Sequence, residues 1–481
     1  MAAAVPVEQM FLFVNPKSGG NKGQDFLKVE QPFTMQVEDG HTVSLLIFSL
    51  IDAAKREEGF TLLKQTVDKS AARIKTIVGG GDGTVMWADS EATKKGIDTA
   101  KHLEYGIVPL GTGNDFSRVA GWGGKNPSKI LNKECAVLRK LVNLWAKAKP
   151  RPHDVWKVVI QVDEEEGKIL RVADKAESEM QGTKMLDLPM INYFSVGQES
   201  KVGLNFDKNR TKSQSCNLCV YAWQGMSTEL ACTSIQHVTE MVSGMYMGND
   251  SSAPVVFGPG DDDDDGDHPE IVGNPESLMF LNVNSYAGGM GHFWQVEADV
   301  GVKPKPKEED VNVHADPGDG RIEVVTLPCI ANIALDNVAH LAKRVHSGGP
   351  YYLEFYHPDE DDEDGLDVYC EVDGEFYHLV NPSFVRVTFL KRLQVLQNLQ
   401  DADMAMWQKF LSPAVWAPPK EAVAVPTFAD MRATLMNAPS LAGRNLAQAG
   451  QLITHAMGDV VPTGMVSTIR SANQNIMAVF R

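Results

Sequence analysis

The chain has 481 residues, 43% of them hydrophobic and 22% charged. This globular composition excludes a wholly disordered, collagen-like or coiled-coil protein. At roughly 100–200 residues per domain, the length accommodates two or three domains. The formal net charge of −18 argues against a dedicated nucleic-acid binder, which needs clustered positive charge to meet phosphates.

The six cysteines, at positions 135, 216, 219, 232, 329 and 370, are too few for a disulfide scaffold and predict a reducing, cytosolic setting. Residues Met1 to Met10 carry no charged leader followed by an apolar core, so no secretory signal is expected. The longest apolar run, Val43 to Ile51, is about half of a ~18–20-residue membrane span.

Taken in chain order, Met10 to Val14 reads as a buried parallel strand that delivers the loop Asn15-Pro-Lys-Ser-Gly-Gly20. Ile74 to Val78 repeats the pattern and runs into Gly79-Gly-Gly-Asp-Gly-Thr84. Tyr105 to Leu110 repeats it again and delivers the loop Pro109-Leu-Gly-Thr-Gly-Asn-Asp115. Helical stretches, Phe60 to Ala72 and Thr84 to Lys95, lie between. Strand, glycine-rich turn and helix in alternation predict an open, mostly parallel α/β sheet over residues 9–150. In such sheets ligands bind at the carboxyl ends of the strands, where all three turns fall.

From Asn126-Pro127 a helix is expected, with an apolar stripe through Leu131, Cys135, Leu138, Val142 and Trp145. Lys125 to Lys157 contains nine Lys or Arg and two acidic residues, a local cationic stretch suited to an anionic membrane surface. Residues 151–393 then read as short strands between Gly, Asp and Asn turns, a mainly antiparallel β second domain. Acidic runs at Asp261–Asp267 and Asp359–Asp364 read as solvated loops. Residues 394–481 are expected to form a helical C-terminal tail, with helix over Leu435 to Met457.

Glycines leaving a strand allow the backbone to approach a polyphosphate and present N–H groups to its oxygens. Asp82, inside the second loop, can hold a metal-bound phosphate or take a proton from an acceptor hydroxyl. The bland alternative for Gly79-Gly80-Gly81 is a tight turn. The spacing matches neither the Walker loop nor the dinucleotide fingerprint. Cys216, Cys219 and Cys232 lack a fourth zinc ligand at finger spacing.

The three loops in this order resemble the diacylglycerol kinase catalytic domain. The resemblance continues through His153 to Val158, Asn192 to Gly197, Asn282 to Tyr286, Asp319 to Val324 and Val372 to Glu375, covering residues 9–390. It implies an ATP-dependent lipid kinase that converts diacylglycerol to phosphatidic acid at a membrane surface, with Mg²⁺, from a cytoplasmic, peripherally associated position. It further implies that Gly80, Gly81, Asp82, Gly83 and Thr84 bind the triphosphate of ATP. Asn15, Ser18, Gly111, Thr112, Gly113 and Asn114 would line the same crevice. Asp373 matches a proposed general base, with Asp82 as its rival, and Asp319 matches a Mg²⁺-binding position. Gln198-Glu199 and the Asp261 run depart from the family pattern. A sphingosine or ceramide kinase, and an inactive lipid- or nucleotide-binding regulator, are the alternatives.

Overall fold

The computed structural model describes residues 7–173, 175–208, 235–258, 269–295, 301–304, 315–330, 333, 342–357 and 365–398. The Cys216/Cys219/Cys232 set, both acidic runs and the expected tail beyond residue 398 lie outside them.

The apolar runs read from the sequence are strands, and their burial explains their composition. Strand Val7–Val14 is flanked by Thr42–Ser49 and Ile74–Gly80, both parallel to it, and Ile74–Gly80 pairs in parallel with Leu103–Pro109. Met10 to Val14 are fully buried, which suits a strand covered on both faces. Because the strands that carry the three glycine loops are neighbours and parallel, their carboxyl ends open on one edge. The expected crevice follows from this register alone.

Helix Ala53–Lys69 starts seven residues before the expected helix because Asp52 caps it, its carboxylate accepting from Ala54 N and Lys55 N at 3.0 Å each. The next helix, Asp82–Lys94, starts directly at the second glycine loop. The helix expected from Asn126 starts instead at Ala136 and runs to Lys147. Lys129, Lys133, Glu134 and Cys135 have φ of 60°, 47°, 54° and 61°, a left-handed backbone that interrupts any right-handed helix.

The parallel strands belong to an 11-stranded sheet that does not end near residue 150. The long strand Pro382–Gln397 pairs antiparallel with Lys149–Val162 and touches Leu103–Pro109 in parallel at Val395 and Tyr105. Gln394 to Gln397, expected in a tail, are therefore strand. Val242–Tyr246 and Tyr351–Phe355 extend the same sheet. An eight-stranded antiparallel sheet is built from Tyr193–Gly197, Ser277–Leu281, Asp367–Val372, Glu375–Val380 and their neighbours. The α/β sheet with a mainly antiparallel second layer is thus the observed architecture, and residues 7–398 fall within one compact unit.

The two sheets share a core. Trp156, Tyr351 and Leu353 of the first pack with Phe194 and Phe280 of the second, with ring centroids of Phe280 5.4 Å from Phe194 and 5.6 Å from Tyr351. Buried Asn282 ties the layers at one corner. Its Nδ2 donates to Asp154 O and Ile191 O at 2.8 Å each, and its Oδ1 accepts from Trp156 Nε1 at 3.0 Å. Those bonds fix the turn at residues 191–193 that enters the second sheet.

Candidate active site

The carboxyl edge of the parallel strands faces loops of the second sheet across a cavity of about 1290 Å³. Asn15, Ser18, Gly81, Asp82, Gly83, Thr84, Gly111, Thr112, Gly113 and Asn114 line one side, and Asp373 the other. Of the sequence-expected residues, two lie elsewhere. Gly80 is behind the loop, where a Cβ would stand 2.3 Å from Thr84 Oγ1, so its small size makes room for Thr84. Asp319 is outside the lining. Its carboxylate accepts from Arg321 N at 2.8 Å, and burial together with neighbouring Asp316 and Asp154 raises its pKa.

The loops fit one another through missing side chains. A Cβ on Gly111 would come within 2.7 Å of Gly81 Cα, so the second and third loops touch backbone to backbone. Asn114, at φ 57°, closes the third loop. Its Oδ1 accepts from Gly111 N at 2.7 Å while Nδ2 donates to Gly124 O at 3.0 Å. Asp82 occupies the first turn of its helix, and its carboxylate turns to the neighbouring loop. Asp82 Oδ2 accepts from Asp115 N at 2.9 Å, Phe116 N at 3.3 Å and Asn192 Nδ2 at 3.0 Å. Asp82 Oδ1 and Asn192 Oδ1 are buried with no hydrogen-bond partner. Burial, followed by the charge of Asp115, pushes the Asp82 pKa up to about 7.

Asp373 sits in the tight turn between Asp367–Val372 and Glu375–Val380, with φ 50°, followed by Gly374 at φ 85°. Its Oδ1 accepts from Asn192 N and Tyr193 N at 2.8 and 3.1 Å, and its Oδ2 from Ile191 N at 2.7 Å. Burial raises its pKa to about 6 against the opposing effect of those three bonds.

Several residues that the sequence reading did not single out shape the site. Asp115, 1% exposed, reaches across to the second sheet's loop. Its Oδ1 accepts from Ser285 Oγ at 2.6 Å and Gly289 N at 3.0 Å. Its Oδ2 accepts from Gly288 N at 2.9 Å and Tyr193 Oη at 3.3 Å. Lys17 and Lys22 are exposed cations in the lining on the glycine-loop side, while Phe206, Met290 and Phe376 give the opposite wall apolar area. Asp115 ends the third loop motif, Pro109 to Asp115, where the sequence assigns it no role. Asn192 opens a segment that carries the family resemblance but had no role assigned, and Glu371 converges from far along the chain with no local signal.

This geometry coincides with two family models. Residues 9–147 match the diacylglycerol kinase catalytic domain and residues 189–376 the diacylglycerol kinase accessory domain. The chain belongs to the diacylglycerol kinase family. The catalytic part supplies the glycine loops and the accessory part supplies Tyr193, Tyr286 and Asp373, so both walls of the cavity are family territory. Diacylglycerol kinase 7 of Arabidopsis thaliana is 26% identical over 363 residues, covering 68% of each chain. The eye-specific diacylglycerol kinase of Drosophila melanogaster is 26% identical over 59% of this chain and 17% of its own length. A Caenorhabditis elegans protein described as a diacylglycerol kinase is 28% identical over 43% of this chain and 19% of its own. The chain thus spans about two thirds of the plant relative and less than a fifth of the two animal ones. A diacylglycerol kinase structure from Bacillus anthracis aligns with a TM-score of 0.39 at 15% identity, covering 82% of this chain and 98% of that one.

Asp115 joins the two halves, so its truncation is the direct probe of the cavity's construction. Asp115→Ala leaves the Ser285, Gly288 and Gly289 donors without their acceptor and should cost about 3 kcal/mol of stability, read from urea unfolding. A loss below about 0.5 kcal/mol would mean that the turn is held by other contacts.

Proposed function

We propose that this chain transfers the γ-phosphoryl group of ATP to the free hydroxyl of diacylglycerol, giving phosphatidic acid. The observation that carries the reading is the cavity's two-sided character. Glycine loops and the start of helix Asp82–Lys94 meet on one side, suited to a triphosphate. Phe206, Met290 and Phe376 stand on the other, suited to the glycerol and upper acyl portions of a lipid.

Apart from Glu371, the lining holds four carboxyl groups, Asp82, Asp115, Asp373 and Glu375, and two lysines, Lys17 and Lys22. A triphosphate entering that field needs a divalent cation. Among the described residues no group of three or more His, Cys, Asp and Glu side chains is placed to hold a metal ion. What the chain offers is the pair of unpartnered buried oxygens, Asp82 Oδ1 and Asn192 Oδ1. Oxygen donors suit Mg²⁺, which keeps several ligands from water and phosphate. The fit is to a cation that arrives with the nucleotide, and its chemistry is neutralisation of the phosphate charge. Asp82 and Asn192 would hold it, and Lys17 and Lys22 would add positive charge at the outer phosphates.

Asp373 is the proton acceptor in this reading. Three backbone N–H groups fix its carboxylate, it adjoins the apolar wall through Gly374, Glu375 and Phe376, and its pKa of about 6 leaves it ionised yet basic near neutrality. Asp82, the rival, is committed to the phosphate side. The acceptor lipid reaches the cavity from a bilayer. Among the described residues no helix is long and apolar enough to cross a membrane. The proposed association is peripheral and cytoplasmic, through the cationic stretch. Lys129, Lys133 and Lys140 of the cationic stretch are exposed. Arg139 lies over the Phe33 ring and Lys147 bonds to Glu38.

Two predictions follow from these roles. Asp373→Asn should lower phosphatidic acid formation roughly 10³-fold with little change in ATP affinity, whereas Asp82→Asn should weaken Mg²⁺-dependent ATP binding in calorimetry as well as turnover. Because Asp373 must be ionised, kcat/KM should rise with pH through about 6. Near-normal turnover by Asp373→Asn, or a flat profile between about pH 5 and 7, would remove Asp373 from this role. For the membrane surface, Lys129→Glu, Lys133→Glu and Lys140→Glu together should reduce sedimentation with anionic vesicles at low salt. Equal sedimentation would discard this stretch as the contact.

A further inference from the structure

Beneath the acceptor side of the cavity lies a buried acid pair that the phosphoryl-transfer reading does not use. Glu371, on strand Asp367–Val372, is 3% exposed, Tyr286 is 2% exposed, and Glu199, in the first turn of helix Gln198–Lys208, is fully buried. Tyr286 Oη contacts Glu371 Oε2 at 2.7 Å and also lies in hydrogen-bond contact with Glu199 Oε1. Glu199 Oε2 accepts from Ser195 Oγ at 2.7 Å and Ser200 Oγ at 3.1 Å.

A phenol carries one proton, so it can donate to only one of two carboxyl oxygens. The second contact requires a proton on a carboxyl group. Glu199 is already surrounded by donors, with two serine hydroxyls on one oxygen, and is the better acceptor for the phenol. Glu371 is therefore the protonated partner, and the bonds run in one direction, from Glu371 Oε2–H to Tyr286 Oη, and from Tyr286 Oη–H to Glu199 Oε1. The charged groups facing the pair are Asp115 and Asp373, both acidic, with the Cys370 thiol and Tyr193 phenol beside them. Among the described residues no Lys, Arg or His bonds to either carboxyl. Burial, the charge of Glu199 and a direct side-chain hydrogen bond between the two glutamates push the Glu371 pKa well above its usual range, and the same bond acts to lower that of Glu199 against the effect of burial, which puts the shared proton on Glu371.

Tyr286 is also the pivot of the turn that meets the catalytic half. Its backbone carbonyl accepts from Gly289 N at 3.1 Å and Met290 N at 3.0 Å, and its ring packs against that of Tyr193, centroids 4.7 Å apart and planes tilted by 57°. The same turn presents Gly288 N and Gly289 N to Asp115, whose own N–H holds Asp82. We propose that Glu371 is a positioning residue that, as a neutral acid, donates to Tyr286, so that Tyr286 donates to Glu199 and the Tyr286–Gly289 turn is held against Asp115. Loss of the Glu371 proton leaves two carboxylates competing for one phenolic hydrogen, with no Lys, Arg or His bonded to either among the described residues. The turn loosens, and turnover falls on the alkaline side without a matching loss of ATP binding.

Glu371→Gln and Glu371→Leu separate this role from simple packing. Glutamine can donate from Nε2 to Tyr286 Oη at every pH. Glu371→Gln should keep kcat within about threefold of the unmutated chain at pH 7 and move the alkaline limb of the kcat profile up by one or more pH units. Glu371→Leu, similar in size but without a donor, should lose about tenfold or more in kcat with KM for ATP little changed. Equal losses in both variants, or an alkaline limb unmoved in Glu371→Gln, would overturn the proposal.

The kinetic arm rests on the phosphoryl-transfer reading, whereas thermal melting does not. A carboxyl group whose folded pKa lies above its unfolded value stabilises at low pH, and that contribution is lost as pH rises through the folded pKa. The unmutated chain should lose more Tm than Glu371→Gln on going from neutral to alkaline pH. Parallel Tm profiles would overturn the assignment of the proton even if no lipid is phosphorylated. Absence of product with diverging Tm profiles would instead count against the proposed reaction alone.

Discussion

Taking a carboxylate out of water costs several kcal/mol unless hydrogen bonds replace its hydration, and this protein places several acids together at the meeting of its two sheets. It meets the constraint with backbone N–H groups in place of side-chain cations. Asp82 takes those of Asp115 and Phe116, Asp115 those of Gly288 and Gly289, and Asp373 those of Ile191, Asn192 and Tyr193. Each set belongs to a turn, and each turn joins elements distant in sequence. The carboxylates therefore set the relative position of the glycine loops and the second sheet, and they leave the cavity strongly acidic. That field is suited to a nucleotide that arrives with its cation, and it keeps basic side chains free for the outer edge at Lys17 and Lys22.

The arrangement also separates two kinds of acid. Asp82 and Asp373 are raised to about 7 and about 6, so that each changes charge near neutrality, where acid–base chemistry and cation binding operate. Glu371 is pushed well above its usual range by burial and by the charge of Glu199. Between them, Tyr193 and Tyr286 pack ring against ring and donate to opposite partners, Asp115 and Glu199. Burial of like charges in one place thus yields both reactive carboxylates and a neutral hydrogen-bond donor, the distinction being set by how many donors each oxygen meets.

Much of the fold was legible because its signals are local. Continuous apolar runs ending in glycine identify strands covered on both faces, and three in succession fix the parallel order and the edge on which the loops meet. The loop residues Asn15, Ser18, Gly81, Asp82, Gly83, Thr84 and Gly111 to Asn114 follow from that pattern. The displaced helix starts have local causes too. Asp52 was an unweighed cap, and the left-handed backbone from Lys129 to Cys135 has no glycine to announce it. Other features were beyond local reading. That Gly80 makes room for Thr84 depends on where a Cβ at residue 80 would fall, 2.3 Å from Thr84 Oγ1. Asn192, Tyr286, Glu199 and Glu371 meet only because the antiparallel sheet brings their strands and loops together. The continuation of the first sheet through Pro382–Gln397 required a pairing between residues more than two hundred apart.

The central claim is that one cavity joins a nucleotide-phosphate side to a lipid side. Its most direct test is transfer of labelled γ-phosphate from ATP with Mg²⁺ in mixed micelles offering diacylglycerol, sphingosine or ceramide separately. The account predicts labelled phosphatidic acid from diacylglycerol, dependent on Asp82 and Asp373. Product from sphingosine or ceramide alone would contradict the assigned acceptor, and no product from any of the three, with ATP bound, would contradict the claim that the cavity is a site of transfer.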